Sequence, residues 1–172
     1  MSYRARNPLS ETAEHVDSLW ERKCSEVEAE TSCELSVRRF TSGDMKLLAP
    51  LAYAAFADTV DSAPLEQWTR KISSIVNGRY GAFLPTASFV AEAPSGQLTG
   101  VVLATDFPLY QAPVIALIAV APSAQGRGMG SYLLLRCIDA LAAEGFAMCR
   151  ARISLGNEAS QRLFRKNAFE LR

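Results

Sequence analysis

A mixed α/β domain, with helices flanking a central sheet and a parallel strand–helix–strand crossover in its C-terminal half, is predicted by three observations. The run "PVIALIAVA" (113–121) has no polar position, so both of its faces must be covered and it belongs in the middle of a sheet. Beyond the glycine-rich stretch that follows it, Leu134, Cys137, Ile138 and Leu141 recur on one helical face. Then "AMCRARIS" (147–154) alternates Cys149, Ala151 and Ile153 against Arg150 and Arg152, and a crossover of this length joins parallel strands.

The elements can be justified in chain order. In residues 1–34, acidic side chains crowd Glu11 to Glu34 while Val16, Leu19, Trp20, Cys24 and Val27 recur at helical spacing, so the segment reads as an amphipathic helical extension. It docks either on its own domain or on a partner subunit. The domain proper then spans 35–172. "ELSVRRF" alternates like a strand, and "TSGD" (41–44) matches the T-x-x-D signature that starts a helix running towards Phe56. Pro50 either kinks that helix or delays its start. "PLEQWTRKISSIVNG" is a second helix, with Pro64 suited to its first turn and Gly78 to its end. "ASFVAEA" and "LTGVVLATD", joined by Pro94-Ser95-Gly96, form an antiparallel hairpin. Gly145 closes the crossover helix, a last helix runs from Asn157 to about Asn167, and "AFELR" begins one more strand.

Composition narrows the function classes. At 172 residues and 49% hydrophobic content the chain buries one sizeable core and makes one compact domain. Lys and Arg total 18, as do Asp and Glu, so no net positive field exists to hold nucleic acid or an anionic membrane. Cys24, Cys33, Cys137 and Cys149 lack C-x-x-C spacing, and the last two lie in apolar segments, which suits reduced thiols. His15 is the only histidine, so no zinc site can be read and no metal is expected. The N-terminus has no apolar core of a signal peptide, and the most hydrophobic stretch, Leu98 to Pro122, is broken by Asp106, Pro108 and Pro113. A soluble, cytoplasmic protein is expected.

The chemistry concentrates in "VAPSAQGRGMGSYLL", where Gly126, Gly128 and Gly130 alternate between the buried strand and a helix. Amide N–H groups at such a helix start lack intrahelical partners and lie at the positive end of the helix dipole, a setting that suits phosphate oxygens. Side chains at these glycines would hold a ligand away from the backbone and forbid φ angles that aim amides inward. Arg127 adds a positive charge. A P-loop needs G-K-[ST] after four intervening residues, and none is present; in a dinucleotide fingerprint the third glycine would come one residue later.

"QGRGMG" (125–130) resembles the Q/R-x-x-G-x-G/A signature of the GNAT superfamily of N-acetyltransferases, and "NEASQRLFRKNAFE" (157–170) resembles that family's later N-x-x-A-x-x-L-Y-x-K-x-G-F segment. The resemblance runs from about Leu35 to the end. It implies acetyl-coenzyme A as cosubstrate, with Gln125, Gly126, Arg127, Gly128, Met129, Gly130 and Ser131 at the pyrophosphate. Ile118 and Val120 would offer backbone groups to the pantetheine arm. Asn157 would meet that arm where two strands splay apart, and Phe164 would lie near the thioester sulfur. Simpler roles stand beside these: Asn157 as a helix N-cap, Phe164 and Leu163 as core, Arg150 and Arg152 as a solvated strand face.

Acetyl transfer to an amine needs a base, because a free amine with a pKa of about 10 is mostly ammonium at neutral pH. The central strand carries no carboxylate, so the catalytic candidates are Asp106 and Tyr110, with Glu92 a third; Asp106 also reads as a turn residue before Pro108. A backbone N–H near Val120 could stabilise the oxyanion. Two departures from the family pattern follow. Phe164 stands where the family often has the tyrosine that protonates the departing thiolate, so Ser160 or a water takes that role, or transfer is slow. The family usually has two further strands after the last helix, and here one at most begins. An unfinished sheet exposes a pairing edge, to be covered by the N-terminal segment or by a second subunit in a homodimer. The function so implied is acetylation of a primary amine, of a small molecule in first place; the alternatives are a non-catalytic acyl-coenzyme A sensor and a protein lysine or N-terminal acetyltransferase.

Overall fold

The uninterrupted apolar run sits where its composition requires, inside an eight-stranded sheet. A computed structural model describes residues 16–26 and 36–172. Across the sheet the order is β2 (Ser36–Arg39), β4 (Phe89–Glu92), β5 (Leu98–Phe107), β6 (Ala112–Val120), β7 (Met148–Ser154), β1 (Asp17–Lys23) and β8 (Glu170–Leu171), while β3 (Ala82–Phe83) pairs with β5 off this path. Among the strands of the described residues only β6 and β7 run parallel, as the crossover through α3 (Met129–Ala143) demands; the other strand pairings are antiparallel.

Alternate residues of one strand feed two cores, because successive side chains point to opposite faces. Val101 and Leu103 pack with Leu48 of α1 (Met45–Phe56) and with Trp68, Ile72 and Ile75 of α2 (Leu65–Val76). Val102 and Ala104 pack instead with Leu133, Leu134, Ile138 and Leu141 of α3 and with Phe164 of α4 (Glu158–Lys166). The sheet is therefore covered on both faces. The entry to α1 forms as its signature predicts: Asp44 accepts from the Thr41 backbone N–H (2.8 Å) and is clasped by Arg38 at 2.7 Å, which holds its carboxyl below the usual range. Pro50 lies inside α1 without ending it.

The expected N-terminal helix is corrected over 17–23, which form a strand; Val27 and most of the remaining extension lie outside the described residues. The reason is tertiary. β7 has an unpaired edge, and β1 fills it along seven residues, from Asp17 opposite Ser154 to Lys23 opposite Met148. Backbone pairing with β7 outweighs the weak helical preference of a segment whose apolar residues fit either period. Trp20 is 5% exposed in the α3-side core, and its indole N–H donates to Ser18 Oγ at 2.9 Å. This also corrects the solvated reading of Arg150 and Arg152: both are partly buried and bind β1, Arg150 to Glu21 (3.2 Å) and Arg152 to Asp17. β8 then pairs with the outer side of β1 at Trp20 and Glu21. The strand from the N-terminal segment thus covers the outer edge of β7, and β8 in turn pairs with it. No helix among the described residues is long and apolar enough to cross a membrane.

If β1 is an integral strand, Trp20→Ala removes a buried anchor from the core. We expect a loss of about 3–5 kcal/mol, the range for large-to-small aromatic substitutions, read as a lower urea midpoint.

Candidate active site

β6 and β7 register at one position, Val114 with Arg150, and two connected cavities lie along the continuation of these strands. Backbone geometry follows from this. Ala121 N–H donates to Thr99 C=O on β5 (2.8 Å), and strand amides alternate sides, so the N–H and C=O of Val120 and Ile118 face away from β5 into the opening. Gln125 closes one of these groups by donating from Nε2 to Val120 C=O at 2.9 Å.

The outer cavity, of about 490 Å³, is a groove lined by Ile118, Val120, Gln125, Gly126, Gly128, Met129, Gly130 and Ser131, and across from them by Asn157, Ser160, Arg162 and Lys166. Gly128 is the N-cap of α3 in the left-handed region (φ 80°), and Gly126 shares that conformation (φ 76°). The first bond closing an α-helical turn there runs from Tyr132 N–H to Gly128 C=O at 3.0 Å. The N–H groups of Met129, Gly130 and Ser131 precede it and have no intrahelical acceptor. Met129 buries its side chain in the core, so it contributes backbone alone. Gly130 serves a different need: a Cβ there would lie 3.3 Å from both methyls of Leu163, so the missing side chain lets α3 and α4 approach. Arg127 is exposed and does not line the groove, whereas Arg162 and Lys166, not singled out in the sequence, do.

The inner cavity, of about 130 Å³, shares Phe56, Ile118, Asn157 and Ser160 with the outer one and so opens from its end. Its further wall includes Asp17, Asp61, Gln67, Trp68, Lys71, Arg152, Ser154 and Phe164. Asp61, in the connection between α1 and α2, is a carboxylate bonded to the junction: it accepts from Asn157 Nδ2 and from Ser154 Oγ, each at 2.6 Å. Val60 beside it packs where Gly156 has no side chain; a Cβ at 156 would come within 2.8 Å of Val60 Cγ1. Asn157 has a double role, since its Oδ1 also accepts from Ser160 N–H at 3.0 Å and caps α4. The N-cap reading of Asn157 therefore holds, and the same buried side chain borders both cavities. Lys71, on the inward side of α2, holds its ammonium 5.0 Å from the centre of the Trp68 ring; burial pushes its pKa below the usual lysine value, and the Asp61 charge opposes that shift.

The catalytic candidates from sequence lie elsewhere. Asp106 sits in β5 between Ala82 and Pro113, and lines neither cavity. Tyr110, also outside both walls, packs edge-on against Phe107, and burial pushes its phenol pKa up. Glu92 is paired with Arg38 at 2.7 Å. Phe164 does line the inner cavity, 3% exposed and edge-on to Phe169. Asp61 and Lys71 went unread because no local pattern marks them. Their significance comes from contacts such as Asp61 with Asn157, 96 positions apart.

Removing the amide of Asn157 uncaps α4 and leaves Asp61 with one fewer donor. Asn157→Ala should cost about 1–2 kcal/mol, measured by thermal unfolding.

Comparison with known proteins agrees with this architecture. Residues 53–169 match the model of the acetyltransferase (GNAT) family. Phosphinothricin N-acetyltransferase from Streptomyces coelicolor is 32% identical over 148 residues, covering 80% of this chain and 83% of that protein. Among solved structures, a GCN5-related N-acetyltransferase from Sphaerobacter thermophilus superposes with TM-score 0.71 at 17% identity, over 91% of this chain but 48% of that one, so the chain spans about half of that relative's length. A GNAT family acetyltransferase from Brucella melitensis in complex with acetyl-CoA gives TM-score 0.60 at 19% identity, over 80% and 83% of the two chains. The matched region contains α3 with its glycine turn, the wedge beside β6 and all of α4, and with them the chain belongs to the GNAT family of acetyltransferases.

Proposed function

We propose that the protein transfers the acetyl group of acetyl-coenzyme A to the primary amine of a small molecule. One observation carries this reading: a groove with helix-terminal amides at one end leads, through Ile118, Asn157 and Ser160, into a cavity with a carboxylate at its mouth. The groove fits the donor. The N–H groups of Met129, Gly130 and Ser131 supply donors for a pyrophosphate, with Lys166 and Arg162 on the opposite wall to balance its charge. The N–H groups of Ile118 and Val120 and the C=O of Ile118, which face away from β5, suit an extended amide-bearing arm, which can pair with them as a strand would. The named substrate of the Streptomyces coelicolor relative is a small molecule, which favours that acceptor class over a protein.

When bound, the donor supplies a thioester whose acyl carbon forms a C–N bond as its C–S bond breaks. The chain's own groups do the rest. Asp61 faces the junction and accepts the proton that the amine nitrogen loses. It takes the place in this reading of Asp106 and Tyr110, which do not reach either wall. Asn157 and Ser154 hold both Asp61 oxygens, so little reorganisation is needed as charge shifts. The N–H of Val120 or Ile118 is the donor for the developing oxyanion. Phe164 cannot give a proton to the departing sulfur; the Ser160 hydroxyl, on the wall of both cavities, relays to it the second proton that the nitrogen releases once the C–N bond has formed, and is itself left unchanged.

The test is release of free thiol from acetyl-coenzyme A with a panel of amines, beside a peptide panel. Release with small amines is expected, and release with peptides alone would reassign the acceptor to protein. Gly128→Glu places a carboxylate and a strained backbone at the pyrophosphate donors and should weaken coenzyme A binding at least about tenfold in calorimetry. Asp61→Asn should lower kcat by about a hundredfold or more with donor affinity little changed. Unaltered turnover in that variant would remove Asp61 from the mechanism.

The Phe164 position gives a separate test. If Ser160 protonates the sulfur adequately, Phe164→Tyr leaves kcat within about threefold of the parent; a large gain would show that the absent phenol limits the rate.

A further inference from the structure

Among the described residues, not every charge on the inner cavity wall is in an ion pair. Arg152 and Asp17 neutralise each other. Lys71 and Asp61 do not form an ion pair: among the described residues no carboxylate comes within 4.0 Å of the Lys71 ammonium, and the partners of Asp61 are the neutral side chains of Asn157 and Ser154. The wall therefore offers one negative and one positive group held apart, neither in a contact ion pair among the described residues although the Asp61 charge is felt at Lys71. A third observation points the same way. The Nε1–H of Trp68, a residue 3% exposed on this wall, is buried with no acceptor among the described residues, and so is Nε of Arg152. A buried donor without a partner is costly unless something accepts from it.

We propose that the inner cavity binds an amino acid or a close analogue, with its ammonium on Asp61 and its acid group on the Lys71 ammonium and the Trp68 indole N–H. This deepens the transferase reading and rests on it for the role of the bound amine. The zwitterion matches the wall charge for charge. Its ammonium lies at the junction where Asn157 and Ser160 border both cavities, and its acid group lies against α2, away from the donor groove. A plain amine would leave Lys71 unmatched in a site where desolvation already disfavours its charge. The acid group is thus the feature by which the pocket distinguishes its acceptor from other amines. Lys71 is a specificity residue, and Phe56, stacked on Trp68 with ring centres 4.9 Å apart, fixes the indole that assists it.

The experiment uses the full chain saturated with coenzyme A, titrated calorimetrically with the standard L-amino acids, each beside the amine left by loss of its carboxyl group, and with taurine and aminomethylphosphonate for two other acid groups. At least one acid-bearing amine should bind about tenfold or more tighter than its counterpart. That ratio should fall at least about tenfold in Lys71→Met and be largely kept in Lys71→Arg, which retains the charge. Equal affinities within every pair, no binding by any acid-bearing amine, or an unchanged ratio in Lys71→Met would each overturn the proposal; the parent comparison decides even if a variant fails to fold. Thiol release from acetyl-coenzyme A in the same mixtures separates the two readings. Selective binding without release sinks the transferase and leaves the amino-acid pocket, while release with no preference for the acid group sinks the pocket alone.

Discussion

The opening between β6 and β7 depends on what holds β7 from behind. A strand that leaves its neighbour after one paired position exposes backbone groups along the departing edge, and it needs support elsewhere to stay extended. β1 provides it, pairing with β7 along its full length, and the Arg150–Glu21 and Arg152–Asp17 ion pairs tie side chains across the same seam. The parallel wedge and the antiparallel seam are two sides of one strand. The cavity wall inherits this: Arg152 and Asp17, one from each strand, both border the inner cavity.

Within the wedge, helix starts and side chains divide the electrostatic work. The outer groove presents fixed backbone dipoles, because α3 begins with three amides that the helix itself cannot satisfy and a glycine in the left-handed region turns the chain into them. The inner cavity presents discrete charges, with Asp61 held by a neutral amide and a hydroxyl. The division suits the ligands of the proposed function: a diphosphate spreads its charge over many oxygens, whereas an ammonium is a point charge that one carboxylate can meet.

What was legible in the sequence was local in origin. The glycine turn, α3, α4 and the β4–β5 hairpin each follow from residues within a few positions of one another, such as Gly128 at its positive φ or the turn through Gly96. The two-sided burial of β6 was legible as well, since a strand without polar positions has few places to go. β1 was not legible, because Leu19, Trp20 and Cys24 fit a helical stripe and nothing nearby announces the empty edge of β7. Asp61 escaped for a related reason. It lies in a connection with no motif, and its partners Ser154 and Asn157 are 93 and 96 positions away. Asp106 drew attention because it closes a strand, yet its neighbours across the sheet are Ala82 and Pro113 rather than the cavity.

Asn157 illustrates how tightly such a site economises. One carboxamide starts α4 through its oxygen and restrains Asp61 through its nitrogen, and Gly156 immediately before it admits Val60 from the same loop. Heredity therefore cannot adjust the helix and the carboxylate independently: a replacement that served one task would spoil the other. Drift at this corner is confined to coordinated changes in both segments.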